Sequence, residues 1–378
     1  MIKTTPSLPT SMKTPMQIGI IGCGKISDAY FNGGKHSSNL NIKACADLNF
    51  DAAKAKAAEH RCEAVSIEAL LNDPEIELVI NLTIPRAHVE VGIQILEAGK
   101  HVYAEKPLAE RLDEADKLIA VAAKTGKRIG SAPDTFLFGY AQTARKLIDD
   151  NWIGTPTSGT AFMRCGGHES WHPNPSFYYD LGGGPLLDMG PYYITSLVNL
   201  LGPIKSVIAR TNRASDERIA TAEGIKGLRI PVNIDTHATG ILEFANGALI
   251  TMIMSFDTHR GLPEHLTING TRGSLNAGDP NTYNVPPKVF SPGQSDWVDA
   301  PATHPANARM IGVIDMVDAI QHDRPHRASG ELAYHVLEVM EAFDTSSKSG
   351  SAVHIRTAPE RPAALPLGLR EWTADSSL

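Results

Sequence analysis

Met16-Gln-Ile-Gly19-Ile-Ile-Gly22-Cys23-Gly24-Lys25-Ile26-Ser27 opens the regular part of the chain. A short apolar run ends in glycines and a helical stretch over 26–32 follows, so the segment reads as strand, tight turn, helix. Gly22 allows the turn, and Gly24 lets the backbone come close to a pyrophosphate. The third small position is filled by Ser27, which still permits close packing of helix on strand. The N–H groups at the start of that helix favour phosphate. Twenty residues after Ser27 stands Asp47, at the end of the next expected strand. A carboxylate there accepts hydrogen bonds from a ribose 2′-hydroxyl and repels a 2′-phosphate. The next residue is Leu48, neither Arg nor Ser, which favours NAD over NADP. Gly22, Gly24, Lys25, Ile26 and Asp47 are the expected cofactor contacts of this segment.

Outward from this segment, strands and helices alternate. Strands are expected at 41–47, 77–82, 101–104 and 128–131, and helices at 51–60, 67–71, 86–98 and 112–125. Asn49 or Asp51 and Ser66 are available as N-caps, and Gly99 and Gly126 stand where helices should stop. Such alternation every 20–30 residues means parallel βαβ units, and short all-apolar strands fit a sheet covered on both faces. Residues 16–139 therefore read as one doubly wound α/β domain.

The remainder reads differently. Helices are expected at 141–151 and 187–201, then β segments at 207–211, 233–244, 248–256, 266–269 and 288–290. Asn246-Gly247 supplies a hairpin turn between two of them. Short turns between adjacent strands imply a mostly antiparallel sheet with helices on one face, an α+β domain over 140–350. Later helices fall at 310–322 and 330–346, and a Pro-rich C-terminal arm covers 351–378. Residues 1–15, polar and rich in Thr, Pro and Ser, read as a flexible tail without the apolar core of a secretory signal.

Composition narrows the function classes. The chain has 378 residues, enough for two cores, and a formal charge of −7 with no Lys/Arg run, which argues against a nucleic-acid partner. Four scattered cysteines form neither a disulfide framework nor a CxxC zinc pair, so reduced thiols and a cytoplasmic location are expected. No apolar stretch is long enough to span a membrane.

Two further segments carry chemistry. Ala104-Glu105-Lys106-Pro107 follows a strand, at the edge of a sheet where ligands of open α/β folds bind. A partly desolvated Lys106 loses some of its pKa and can hydrogen-bond a substrate oxygen. Gly182-Gly-Gly-Pro-Leu-Leu-Asp188-Met-Gly-Pro-Tyr192 leads into a helix on which Asp188 and Tyr192, four apart, share a face.

In this order and spacing the three segments resemble the Gfo/Idh/MocA oxidoreductases, the glucose–fructose oxidoreductase and inositol dehydrogenase group, over about residues 16–345. The resemblance implies a Rossmann domain, an open-faced sheet domain, and hydride transfer between a nicotinamide and a carbinol carbon of a sugar or polyol. It implies that Lys106 is the catalytic-site lysine and Asp188 the carboxylate of an Asp-x-Gly-x-His pattern, with Tyr192 where many members carry His. Thr83, Pro85 and His88 resemble the loop that passes the cofactor, Glu105 and Lys106 lie beside it, and Asp134 falls in the segment near the nicotinamide. Arg164, His168, Trp171 and His172 fall in the variable substrate loop. Trp171 offers an apolar face to a pyranose, and no metal is expected at His168 and His172.

The expected mechanism has Tyr192 take the substrate hydroxyl proton, its pKa lowered by the Lys106 ammonium, while Asp188 orients Lys106. In the alternative, Lys106 relays the proton and Tyr192 positions the sugar. Two rivals stand beside a net dehydrogenase: an enzyme that recycles a tightly held NAD internally, and a non-catalytic sugar or cofactor sensor. Ile241, Phe244, Ile250, Met252 and Met254 cover either their own helices or a second subunit. A homodimer or homotetramer is inferred from the resemblance.

Overall fold

The computed structural model describes residues 14–259 and 265–375. The expected N-terminal tail lies, except for its last two residues, outside the described residues. The first sheet is built from β1 (Met16–Ile21), β2 (Leu40–Ala46), β3 (Glu63–Ala64), β4 (Ile76–Asn81), β5 (His101–Ala104) and β6 (Ile129–Ser131). All are parallel, in the order β3-β2-β1-β4-β5-β6. Helices α1 (Ser27–Gly34), α2 (Phe50–His60), α3 (Ile67–Asn72), α4 (His88–Glu97) and α5 (Leu112–Thr125) alternate with the strands. Asn49 and Ser66 cap α2 and α3 as their side chains accept from Asp51 N and Ala69 N. The order reverses between β1 and β4, and the region beyond the carboxyl ends of the strands at such a switch point is where open α/β sheets bind ligands. The two-residue β3 escaped the sequence reading because so short a run has no period.

The second sheet has nine strands in the order β16-β15-β14-β13-β7-β12-β11-β8-β17. They are β7 (Pro156–Arg164), β8 (Ile204–Asn212), β11 (His237–Phe244), β12 (Leu249–Ser255), β13 (Leu266–Gly270), β14 (Gly273–Asn276), β15 (Lys288–Phe290), β16 (Val298–Asp299) and β17 (Val353–His354). A separate pair, β9 (Glu217–Ile219) with β10 (Arg229–Pro231), stands outside it. Every neighbour is antiparallel except β7 and β12, which run parallel. The sequence reading missed β7, the middle strand. Its Pro, Ser, Thr and Gly mask the alternation, and Gly159 is required because a Cβ there would sit 2.3 Å from Thr267 O on the neighbouring strand. The 233–244 segment enters the sheet only at His237, because Asn233 N donates to Tyr179 O at 2.8 Å and its side chain to Asp180 Oδ1.

One face of this sheet buries Leu242, Phe244, Ile250, Met252 and Met254 under α7 (Pro185–Leu201) and α9 (Gly330–Ser349). Phe244, Ile250, Met252 and Met254 thus cover the chain's own helices, whereas Ile241 lies half-exposed on the other face with Ile208 and Leu249. The expected hairpin forms, with Gly247 at φ +88°.

The two sheets are tied by late segments of chain. Helix α6 (Gly139–Asp149) leads out of the first sheet, and α8 (Ile311–Gln321) and α9 return to pack on β6. Ser131 N donates to Ala328 O across the β6 edge. The Pro-rich arm lies along the surface: Arg145 donates to Pro362 O, Gln142 accepts from Leu365 N, and Arg327 donates to Ala363 O, Ala364 O and Ala374 O. Arg327 also forms an ion pair with the fully buried Asp315 of α8. No helix among the described residues is long and apolar enough to cross a membrane.

Asp315 also pairs with Arg324 at 2.9 Å, so loss of Arg327 removes one of two cations on it and frees the three arm carbonyls that Arg327 holds. Arg327→Ala is therefore expected to lower the unfolding free energy by about 1.5–3 kcal/mol, read from denaturant unfolding.

Candidate active site

The glycine turn stands at the carboxyl end of β1. Gly22 has φ +104°, and a Cβ on it would meet Leu82 O at 2.5 Å, so glycine is obligatory. Gly24 differs: the space where its Cβ would point is open to 4 Å, which leaves the backbone approachable by a bulky anion. Ser27 is buried, and its hydroxyl donates to Gly24 O at 2.7 Å, which closes the turn. Lys25 is exposed and Ile26 half-buried at the start of α1. Asp47 reaches the loop from the end of β2: Oδ2 accepts from Cys23 N at 2.7 Å and Oδ1 from Asn49 N at 2.8 Å. Each oxygen keeps a further lone pair for an incoming hydroxyl. This arrangement fits a dinucleotide.

Across the cleft, the turn after β5 meets α7. Lys106 Nζ donates to Asp188 Oδ1 at 2.9 Å and to Asp188 O at 2.6 Å. His168 Nε2 lies 3.6 Å from Asp188 Oδ2, so the carboxylate stands between a lysine and a histidine. One turn along α7, the buried Tyr192 presents its ring 5.3 Å from Lys106 Nζ. Glu105 braces the turn from below, taking Tyr30 Oη–H at 2.8 Å and Lys106 N–H at 3.0 Å.

The charges of this cluster correct two expectations. Burial alone would pull Lys106 down, but Asp188, Tyr192 and Glu105 together outweigh it and hold the ammonium above its ordinary value. Burial likewise opposes charge on Asp188, yet Lys106 and His168 bring its carboxyl down to about 2. Tyr192 moves up, not down: burial exceeds the opposing pull of Lys106 and Arg309. The site therefore holds an ammonium, a carboxylate and a phenol at neutral pH.

The other expected residues divide. Thr83 donates to Asn81 Oδ1 through both N and Oγ1, at the carboxyl end of β4, and Pro85 begins the turn into α4. His88 and Asp134 turn inward instead of facing the cleft. His88 places Nδ1 2.7 Å from Pro107 O and Nε2 2.9 Å from Thr83 O, clamping the loop after β4 to the turn after β5. Burial pushes its pKa down, so at neutral pH its single N–H serves one carbonyl at a time. Asp134 is fully buried, and its Oδ2 accepts from Met310 N and Gly312 N, both at 3.0 Å, at the start of α8. Burial raises it to about 6.

On the opposite wall, Arg164 ends β7 with its guanidinium 4.9 Å over the Phe162 ring. Trp171 is exposed with its ring edge against His168 and His172, and His172 Nδ1 is taken by Asn174 N–H. Two residues at the cluster went unread. Tyr178 packs its ring against His168 with centroids 4.0 Å apart and the planes tilted by 43°, and burial together with Asp188 raises its hydroxyl to about 12. Arg309 donates to Tyr192 Oη at 3.0 Å. Neither belongs to a short motif. Arg309 lies 117 positions from Tyr192, so no spacing signal joins them.

The two glycines should behave oppositely. Gly24→Val is expected to leave stability within about 0.5 kcal/mol while abolishing NADH binding read by fluorescence. Gly22→Val should unfold more readily as well. Asp134 gives a pH test. Its folded pKa is raised, so its stabilising contribution is present below about pH 4 and is lost as pH rises through about 6. The stability of Asp134→Asn relative to the native chain is therefore expected to rise between those values, measured by thermal unfolding.

Comparison with known proteins places the fold in a family. Residues 16–132 match the oxidoreductase family with an NAD-binding Rossmann fold, and residues 141–276 match the GFO/IDH/MocA C-terminal domain. The levoglucosan dehydrogenase of Pseudarthrobacter phenanthrenivorans is 29% identical over 232 residues, 55% of this chain and 56% of that protein. The D-glucoside 3-dehydrogenase of Escherichia coli K12 is 28% identical over 254 residues, 64% of this chain and 71% of that protein. A solved structure of a levoglucosan dehydrogenase with NADH superposes with a TM-score of 0.78 at 22% identity, covering 91% of this chain and all of that one. The chain belongs to the Gfo/Idh/MocA family of NAD-binding oxidoreductases.

Proposed function

We propose that the protein is a sugar or polyol dehydrogenase that oxidises a secondary alcohol in the cleft between the glycine turn and α7. The observation that carries this reading is the Lys106–Asp188 pair with Tyr192 beside it, set at the carboxyl ends of β1, β4 and β5. The names of the relatives, which act on levoglucosan and on D-glucosides, support a carbohydrate. Asp47, with the exposed Leu48 after it, favours NAD over NADP.

When bound, the nicotinamide supplies a hydride acceptor. The protein's own part is to orient the alcohol and move its proton. Lys106, held as an ammonium by Asp188, donates to the substrate oxygen and stabilises negative charge there. It cannot act as a standing base, which leaves Tyr192 as the proton carrier. As a neutral phenol Tyr192 donates readily to a ketone. It accepts a proton only in its ionised fraction, so oxidation should quicken as pH rises through the alkaline range. His168 and Tyr178 offer further polar contacts to sugar hydroxyls, and Trp171 an apolar wall. The division of labour follows: residues 16–139 hold the cofactor, and 140–350 shape the substrate side. The outer sheet face, with half-exposed Ile208, Ile241 and Leu249, suits a homo-oligomer.

The test is NADH formation, followed by absorbance, with NAD⁺ or NADP⁺ and a panel of aldoses, polyols and sugar acids. A substrate-dependent rise with NAD⁺ is expected. Lys106→Ala and Tyr192→Phe should each lower turnover at least about tenfold while NADH binding persists. Unchanged rates in both would overturn the assignment. No net NADH, with cofactor released only on denaturation, would identify internal recycling instead.

A further inference from the structure

The Tyr192 side chain faces two cations, one of them bonded to its hydroxyl. Arg309 Nη2 donates to it at 3.0 Å and the guanidinium carbon lies 5.4 Å from the ring centroid, while Lys106 Nζ lies 5.3 Å from that centroid. Guanidinium and ammonium groups only donate hydrogen bonds. Neither can accept the phenolic hydrogen, so Tyr192 must direct its own O–H elsewhere while one lone pair stays with Arg309.

Arg309 is itself held by an elaborate local structure. Its Nη2 also reaches Asn281 Oδ1 at 3.2 Å. The next residue, Met310, has φ +97°, a conformation unfavourable for a non-glycine residue that persists where surroundings impose it. Here Asp134 imposes it by taking the N–H groups of Met310 and Gly312. From the other side α1 closes in: a Cβ on Gly33 would lie 2.6 Å from Arg309 O and 2.5 Å from Met310 Cβ. A buried carboxylate, a strained residue and an obligatory glycine thus converge on the turn that launches Arg309.

We propose that Arg309 is the positioning residue that stabilises the Tyr192 phenolate, the second cation a tyrosine needs to carry a proton where many relatives use histidine. This rests on the dehydrogenase reading. The step is a proton transfer: the substrate O–H bond breaks, the proton joins Tyr192 Oη, and the negative charge that faced Arg309 passes to the substrate oxygen, whose electron pair forms the carbonyl as the carbon gives up its hydride. The charged groups facing the hydroxyl are Lys106 and Glu105 from the β5 turn and Arg309 from the turn before α8. Asp188 lies one helical turn back, Tyr178 faces from the substrate loop, and Asp134 lies behind Arg309. Glu105 opposes the phenolate, so Lys106 and Arg309 are its supports.

An opposite charge at this range shifts a pKa by about 1–3 units. In Arg309→Met the alkaline limb of the oxidation rate should therefore move up by about one pH unit or more, with turnover about tenfold lower at a fixed pH below it. Arg309→Lys should recover part of the shift. KM for the alcohol and NADH binding should stay near native, and in a Tyr192→Phe background Arg309→Met should add no further loss. A limb that coincides with the native one, or a loss confined to KM or NADH binding, would overturn the proposal. Ultraviolet titration of tyrosinate in the purified protein, with Tyr192 identified by its disappearance in Tyr192→Phe, reads the same quantity without substrate. If no alcohol reacts, the dehydrogenase reading fails, and that titration alone decides whether Arg309 governs Tyr192: coincident curves for native and Arg309→Met would reject it.

Discussion

The Lys106–Asp188 ion pair joins the two halves of this molecule at their most exacting point. Lysine comes from the end of a parallel strand and aspartate from a helix that covers an antiparallel sheet. Both lie in a cleft where water screens little, so each charge depends on the other: alone, burial would drive Lys106 towards the amine and Asp188 towards the acid. Neighbouring features serve that pairing. Glu105 and Tyr30 support the turn beneath Lys106, His88 ties the same turn to the loop after β4, and His168 steadies the far oxygen of Asp188.

Around the pair the site keeps opposite charges close without letting them neutralise one another chemically. The carboxylate lies well below neutrality and the ammonium well above it, so neither changes state over the physiological range. Tyr192 beside them is a buried phenol whose ionisation burial opposes and Lys106 and Arg309 favour. Such a balance is sensitive to modest changes in geometry, and the turn that places Arg309 is held by Asp134 through Met310 N and Gly312 N.

Much of this was legible in the chain. The first sheet declared itself because short apolar runs, capping residues and terminal glycines recur in register with the βαβ repeat, and the ends of its elements moved by only a residue or two. Lys106, Asp188 and Tyr192 could be singled out because each sits in a compact motif. β7 was illegible: its small and polar residues suit a crowded central position, a property of its neighbours rather than of its own period. Arg309 and Tyr178 reach the site only through tertiary folding. His88 and Asp134 were expected near the cofactor, but their inward hydrogen bonds to Pro107 O, Thr83 O, Met310 N and Gly312 N depend on tertiary partners that no local pattern announces. The pKa directions of Lys106 and Tyr192 were equally hidden, because burial and distant partners set them.

The arrangement of the late segments bears on how the chain acquires its structure. Residues 16–132 correspond to a recognisable family unit, yet the edge strand β6 is bonded by Ala328, the buried Asp134 is capped by Met310 and Gly312, and His36, just after α1, stacks on Trp372. During synthesis the first sheet keeps an open edge and an unmatched carboxylate until residues as far along as Ala328 have been made. Contacts so distant along the chain slow folding and lengthen the time that apolar and polar groups stand unpaired. The first sheet is thus a distinct unit in pattern but a dependent one in synthesis, completed by segments that emerge long after it.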